Sequence, residues 1–421
     1  MTPPLLIVFC HLRWDFVRDR PQHLLTRLGD RWQVLYVEEP VYDAGLPWLE
    51  ERLLDRRLTV LVPHTPVAAP GFHERQLPLL RQLLAGYQRR SRRAVDVAWL
   101  YTPMALPLAR GLSPTCIVYD CIDDLALFAD APAALRAHED ALLQQASLVM
   151  TGGLSLYEAR RDRHPHVVCL PSAVDAAHYA AHYAAHSGVP SAAHDDAAPS
   201  AADLLPQDRE PFRQAEALQG GTARPRLGYM GVIDHRLDLA LLAHVADAHP
   251  EWSLVMAGPV ARTDVRALPR RPNILWLGPQ PYERLPHLLA GWDLCLMPFA
   301  LNEATRCLCP SQTLEYLAGG KPVVSTPIHD VSWMYGDLVA LAEGGPDFVA
   351  ACERLLAESG SQRAHRALDM MALVSSSSWD RTAQAVHELL LQALHAARAR
   401  RADAAARPLA AGASAARVGI G

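Results

Sequence analysis

The chain has 421 residues, half of them hydrophobic and a fifth charged, with a formal net charge of -5. That is more chain than one hydrophobic core serves, so two domains are expected. The acidic balance argues against nucleic acid as the main partner, and no apolar stretch has the length of a membrane span, so any membrane contact is expected to be peripheral.

The opening residues, MTPPLLIVFCHLRWDF, hold an apolar run without a basic start or a small-residue cleavage site. A signal peptide is therefore not expected. From there short apolar runs alternate with helical patterns. Residues 5–9, 34–37, 58–62, 97–101, 116–120, 148–151 and 167–170 read as strands, and 20–28, 77–93 and 133–146 as helices. The strands are apolar throughout, as in a parallel sheet covered on both faces. Residues 177–222, with the repeated unit AAHY, read as a low-complexity insertion that is expected to be disordered, with no metal role for its histidines. The rhythm restarts with strands at 226–233, 252–259, 274–279, 294–299, 322–326 and 338–344. The helices between them are expected at 238–249, 282–290, 312–318 and 347–357. A last helix over 379–398 and a disordered tail over 399–421 complete the reading.

The fold class is thus α/β. Two Rossmann-like, doubly wound parallel-sheet domains, 1–176 and 223–378, are expected to face an interdomain cleft. Ligands of such sheets sit at the carboxyl ends of the strands. Eight cysteines form no CxxC pair, so reduced thiols in a cytoplasmic protein are expected. The chain has one lysine, Lys321, and arginine supplies the rest of its basic side chains.

The most informative stretch is PFALNEATRCLCPSQTLEYLAGGKPVVSTP (298–327). A strand ends, a polar loop follows, and a helix opens at Pro310–Ser311 and stops at Gly319–Gly320. Backbone N–H groups of Ser311, Gln312 and Thr313 at that helix start suit a diphosphate. The Glu315 carboxylate, one turn in, suits the two hydroxyls of a ribose. An ordinary capped helix with a solvated glutamate fits the same spacing.

This stretch resembles the donor-binding signature of the retaining, two-Rossmann-domain (GT-B type) glycosyltransferases, the family-four or group-one enzymes. Their helix reads E-Y-M-A-x-G-K-P-V-V, and Glu315 stands where its glutamate binds the donor ribose. A subgroup of teichuronic-acid-type and UDP-galactopyranose-mutase-associated transferases is similar over both domains. HLRWDFVRDRPQHLLTRL (11–28), VYDCIDDL (118–125), TGGLSLYEARR (151–161), GYMGVIDHRLDL (228–239), WLGPQPYERLPHLLAGWDLCLMPF (276–299) and SSWDRT (377–382) carry that likeness. The chain departs from the pattern at Cys307, where the wider family has a glutamate, and at Gln312, where the subgroup has a lysine. Glu303 and Arg306 are the replacements that the resemblance suggests for sugar hydroxyls and phosphate.

Three further clusters stand at strand ends. In GYMGVIDHRLD (228–238), Gly231 permits close backbone approach and Arg236 can reach a phosphate oxygen; a plain strand–helix turn reads the same way. In HLRWDFVRDRPQ (11–22), His11, Arg13, Trp14, Asp15 and Arg20 are the expected acceptor and cleft contacts, against a buried network that fixes the helix start. After the strand at 116–120, Asp120 is the candidate to orient or deprotonate an acceptor hydroxyl.

The resemblance implies a metal-independent transferase without a cofactor. It would pass a sugar from a nucleotide-sugar co-substrate to a saccharide or lipid-linked acceptor, in cell-surface polysaccharide or glycolipid synthesis. The catalytic set would be Asp120, Arg236 and Glu303, at the cytoplasm or the inner face of the membrane. A GT-B-fold nucleotide-sugar epimerase and a non-catalytic nucleotide-sugar-binding or scaffold protein remain as alternatives. A dinucleotide oxidoreductase does not fit, because no GxGxxG follows the first strand.

Overall fold

The computed structural model describes residues 2–128, 131–180 and 217–415. The chain divides into two compact units, Met1–Pro171 with Asp380–Gly421, and Ser172–Trp379.

The first unit is built on one sheet. Its strands are β1 (Leu5–Phe9), β2 (Gln33–Val37), β3 (Val41–Tyr42), β4 (Trp48–Asp55), β5 (Leu58–Thr65), β6 (Val97–Leu100), β7 (Cys116–Cys121), β8 (Leu148–Thr151) and β9 (Val167–Cys169). The order is β3-β5-β2-β1-β6-β7-β8-β9. Every pairing is parallel except that of β4, which runs antiparallel along β5. β1, β6 and β8 are buried along their whole length. Their continuous apolar runs follow from helices covering both sheet faces. The order reverses between β1 and β6, so the loop after β1 lies at a switch point of the sheet.

The long C-terminal helix Trp379–Ala415 belongs to this unit from Asp380 onward. Val386, Leu390 and Leu394 are buried, Trp32 donates its indole N–H to His387 Nδ1 at 3.0 Å, and Arg398 pairs with Asp96 at 2.7 Å. The helix passes residue 398, where the sequence reading ends it. Its Ala- and Arg-rich composition favours helix over the tail expected there.

The second unit carries β10 (Arg226–Met230), β11 (Ser253–Ala257), β12 (Ile274–Gly278), β13 (Leu294–Met297), β14 (Val323–Ser325) and β15 (Ala340–Leu341). All pairings are parallel, in the order β12-β11-β10-β13-β14-β15, with the switch point between β10 and β13. Gly228 in mid-strand leaves room for Trp292: a Cβ there would stand 1.9 Å from the indole. The fully buried Trp292 and Tyr316 meet edge to face at 6.4 Å. Lys321 is buried beside them, donating to the carbonyls of Ala290 at 3.1 Å and Trp292 at 2.7 Å. It closes the end of helix Leu285–Ala290.

The insertion expected over 177–222 lies outside the described residues from 181 to 216. Its two ends are packed parts of the second unit. Helix Ala176–Ala180 lies against helices Gln312–Ala318 and Leu285–Ala290, and Gln219 is fully buried, donating to the Leu288 carbonyl at 3.4 Å.

Candidate donor and acceptor sites

In the first unit the loop after β1 is organised by Glu38, a buried side chain at the end of β2. Its carboxylate accepts from Arg13 Nη1 and from the Trp14 backbone N–H, both at 2.9 Å. The Trp14 ring stands edge-on to Tyr36 at 5.1 Å. Gln22 donates to the carbonyls of Trp14 at 2.8 Å and Val17 at 2.9 Å, while Asp19 and Gln22 form a capping box at the start of helix Arg20–Leu28. Sequence and chemistry thus combine to hold a polar loop rigidly at the sheet's switch point. Of its members, His11, Arg13 and Trp14 are half-buried, and Asp15 is exposed and pairs with Arg52 of β4.

Arg20 and Asp120 correct the sequence reading. Arg20 is 1% exposed and Asp120 fully enclosed, joined by Nε to Oδ2 at 3.0 Å, with Arg20 Nη1 on the Leu170 carbonyl at 2.6 Å. Burial pushes the Asp120 carboxyl up, and Arg20 opposes that rise. The pair is a buried tie between a helix start and β7, the arrangement of the network reading.

In the second unit the switch point brings the loops after β10 and β13 side by side. Leu237 bridges to Phe299, and the Ala300 N–H donates to the Arg236 carbonyl at 2.8 Å. Gly231, with φ at +148°, lies against Gln312: a Cβ there would stand 2.5 Å from Gln312 Nε2. Gly258, at the end of β11, has φ at +147°, and its Cβ position would be 1.8 Å from the Gly231 carbonyl oxygen. These two glycines let three chain segments close together at the carboxyl ends of the strands. Helix Gln312–Ala318 is fastened there by Tyr316, whose hydroxyl accepts from the Met230 N–H at 2.8 Å. Within this unit, therefore, Gly231, Gln312 and the helix bearing the half-buried Glu315 are brought together.

Other expected donor residues are placed differently. Thr313 is fully buried, its hydroxyl on Met297 Sδ at 3.5 Å and its N–H toward the Pro310 carbonyl at 3.4 Å, so it faces the core. Ser311 caps the helix without a side-chain bond, and the helix has seven residues, too few for a strong dipole. Arg236 is held by Asp234, with Nε 3.1 and 3.0 Å from the two carboxylate oxygens. Asp234 is buried, so the pair is pre-set and the arginine's charge is largely answered. Glu303 and Arg306 stand on an exposed turn, 3.5 Å apart, with side chains 75% and 61% exposed. Cys307 is buried.

Sequence reasoning missed Glu38, Asp234 and Tyr179. Asp234 was open to view, two residues before Arg236, where an Asx turn with Arg236 is sterically natural. Tyr179 was hidden by the alanine-rich repeat around it.

Residues 224–358 match the family model described as "Glycosyl transferases group 1". A Bacillus subtilis (strain 168) protein, provisionally named teichuronic acid biosynthesis glycosyltransferase TuaH, is 34% identical over 142 residues, which are 32% of this chain and 36% of that protein. The match thus spans about a third of that relative's length. Among solved structures, sucrose-phosphate synthase from Thermosynechococcus elongatus is similar with a TM-score of 0.68 at 13% identity, over 93% of this chain and 100% of that one. Anabaena Alr3699/HepE, solved with UDP and glucose, gives a TM-score of 0.65 at 14% identity, over 92% and 100%. At such identities these likenesses concern the fold. Residues 224–358 are thus similar to the group 1 glycosyltransferases, and the chain as a whole shares the two-sheet fold of these solved structures.

Proposed function

We propose that this protein is a glycosyltransferase that moves a sugar from a nucleoside-diphosphate sugar to an acceptor hydroxyl. The observation that carries the proposal is the contact of Gly231 with the start of the helix that bears Glu315. A glycine backbone packed against the Gln312 amide, beside a carboxylate one turn away, suits a diphosphate linked to a ribose. In the reaction the bond from the anomeric carbon to the diphosphate oxygen breaks, and the acceptor oxygen forms the new bond. The acceptor proton leaves to solvent or to the departing phosphate. Negative charge grows on the diphosphate, where cations and N–H donors stabilise it. Arg306, exposed and loosely paired, is the more available cation; Arg236 acts from its fixed place beside Asp234. Glu303 would serve the sugar hydroxyls. Retention of configuration and work without a metal or cofactor belong to this proposal, as does a role for Arg13, Trp14 and Asp15 on the acceptor side. So do a cell-surface saccharide or lipid-linked acceptor and a place in the cytoplasm or at the membrane's inner face.

The test is a thermal-shift panel of UDP-, GDP-, dTDP- and ADP-linked sugars on the wild type and Glu315→Ala. UDP stands first because the Anabaena relative was solved with it. Stabilisation by one nucleotide series that is lost in Glu315→Ala is the expected result; no stabilisation by any of them overturns the proposal. Transfer that survives EDTA unchanged is the expected result for the metal. The buried Cys307, where the wider family has glutamate, favours a second reading in which donor binds without turnover. Release of nucleoside diphosphate that depends on acceptor separates the two.

A further inference from the structure

Tyr179 is 1% exposed, on a helix of five residues that begins the alanine-rich segment. Its ring is clamped edge-on by two others: His178 at 5.0 Å and Tyr282 at 6.3 Å. His178 in turn stacks flat on Tyr282 at 3.9 Å and bonds through Nε2 to the Tyr282 carbonyl at 3.0 Å. The side chain therefore has one place to be. Its hydroxyl is buried and makes no hydrogen bond of ordinary geometry with any described group. A buried hydroxyl is costly unless a partner answers it, and the group within its reach is a carboxylate. The charged group beside it is the carboxylate of Glu315, across the packed pair of helices Ala176–Ala180 and Gln312–Ala318. Burial first, and that carboxylate second, hold the phenol well above its ordinary pKa. It remains a proton donor at any working pH.

We propose that Tyr179 is a positioning residue for Glu315: its hydroxyl fixes one carboxylate oxygen so that the other is presented to the ribose hydroxyls of the donor. The inference rests on the reading of Glu315 given above. A phenol donates one proton to one oxygen, and a carboxylate has lone pairs left for two further donors. A glutamate on a short helix otherwise samples several rotamers, and ordering it on binding weakens affinity. The clamped phenol removes that loss in advance.

The experiment is a binding cycle by calorimetry with UDP, GDP, ADP and dTDP, the last lacking the ribose 2′-hydroxyl. The proteins are wild type, Tyr179→Phe, Glu315→Ala and the double variant. Tyr179→Phe keeps the ring and its packing, so its melting temperature is expected near that of wild type. With the best-binding ribonucleotide its affinity is expected to fall about fivefold to tenfold, the scale of one hydrogen bond. In the Glu315→Ala background the same change is expected to do nothing, because the partner is gone. Equal affinity for wild type and Tyr179→Phe overturns the proposal while leaving the Glu315 reading intact. An equal loss in both backgrounds also overturns it, since Tyr179 would then act through packing. If Glu315→Ala binds as wild type, or if wild type binds none of the four, the reading of Glu315 falls and this proposal falls with it.

Discussion

Lys321 is a charged side chain placed where charge is expensive. Burial pulls its ammonium down to about 8. The unfolded chain keeps its lysine protonated up to about 10.4. Between these values the unfolded state holds a proton that the folded state has released, so stability rises with pH across that window. Below pH 8 both states carry the proton and the slope vanishes. Buried tyrosines and cysteines titrate with the opposite sign, so the effect is read against Lys321→Met. From pH 7.5 to 9.5 urea unfolding should move in favour of wild type over that variant by about 2 kcal/mol. The glycines give a sharper contrast. Gly258→Ala combines an unfavourable φ with a backbone collision, and is expected to destabilise by about 3 kcal/mol or more. Gly45, with nothing within 4 Å of its Cβ position, is expected to accept alanine at little cost by the same measurement.

At the scale of elements, the Arg20–Asp120 pair ties helix Arg20–Leu28 to β7. Asp120→Asn leaves a guanidinium buried without its counter-charge, and is expected to cost about 3–5 kcal/mol in denaturant unfolding. Replacing both by apolar residues, Arg20→Met with Asp120→Leu, should cost much less. The same pair shows why the site was only partly legible. A strand end carrying Asp and a helix start carrying Arg look alike in sequence whether they meet a ligand or each other. Burial alone decides, and it is a tertiary property. The strands were legible because buried parallel strands are unbroken apolar runs: 5–9 and 148–151 fall where β1 and β8 are. β4 was not, since WLEERLLD is an exposed edge strand whose polar residues hide its pairing. The meeting of Gly231 with the helix start at Gln312 was readable because turn and cap chemistry is local. Tyr179 was not, because a helix of five residues leaves no periodicity to find.

At the scale of the whole molecule, the first unit is completed by the last helix, drawn from the far end of the chain. A chain ended after Trp379 is expected to lose protection of residues 1–171 in limited proteolysis, while 223–379 stays resistant. A chain ended at residue 404 should keep both, since the buried contacts at Val386, Leu390 and Leu394 remain. The sole lysine has a practical meaning at this scale as well. With its amine turned onto two carbonyls inside the second unit, these 421 residues offer no surface ε-amine to an acylating reagent. Conjugation of the native protein through lysine would thus be silent, and a single added label would mark the moment the second unit opens.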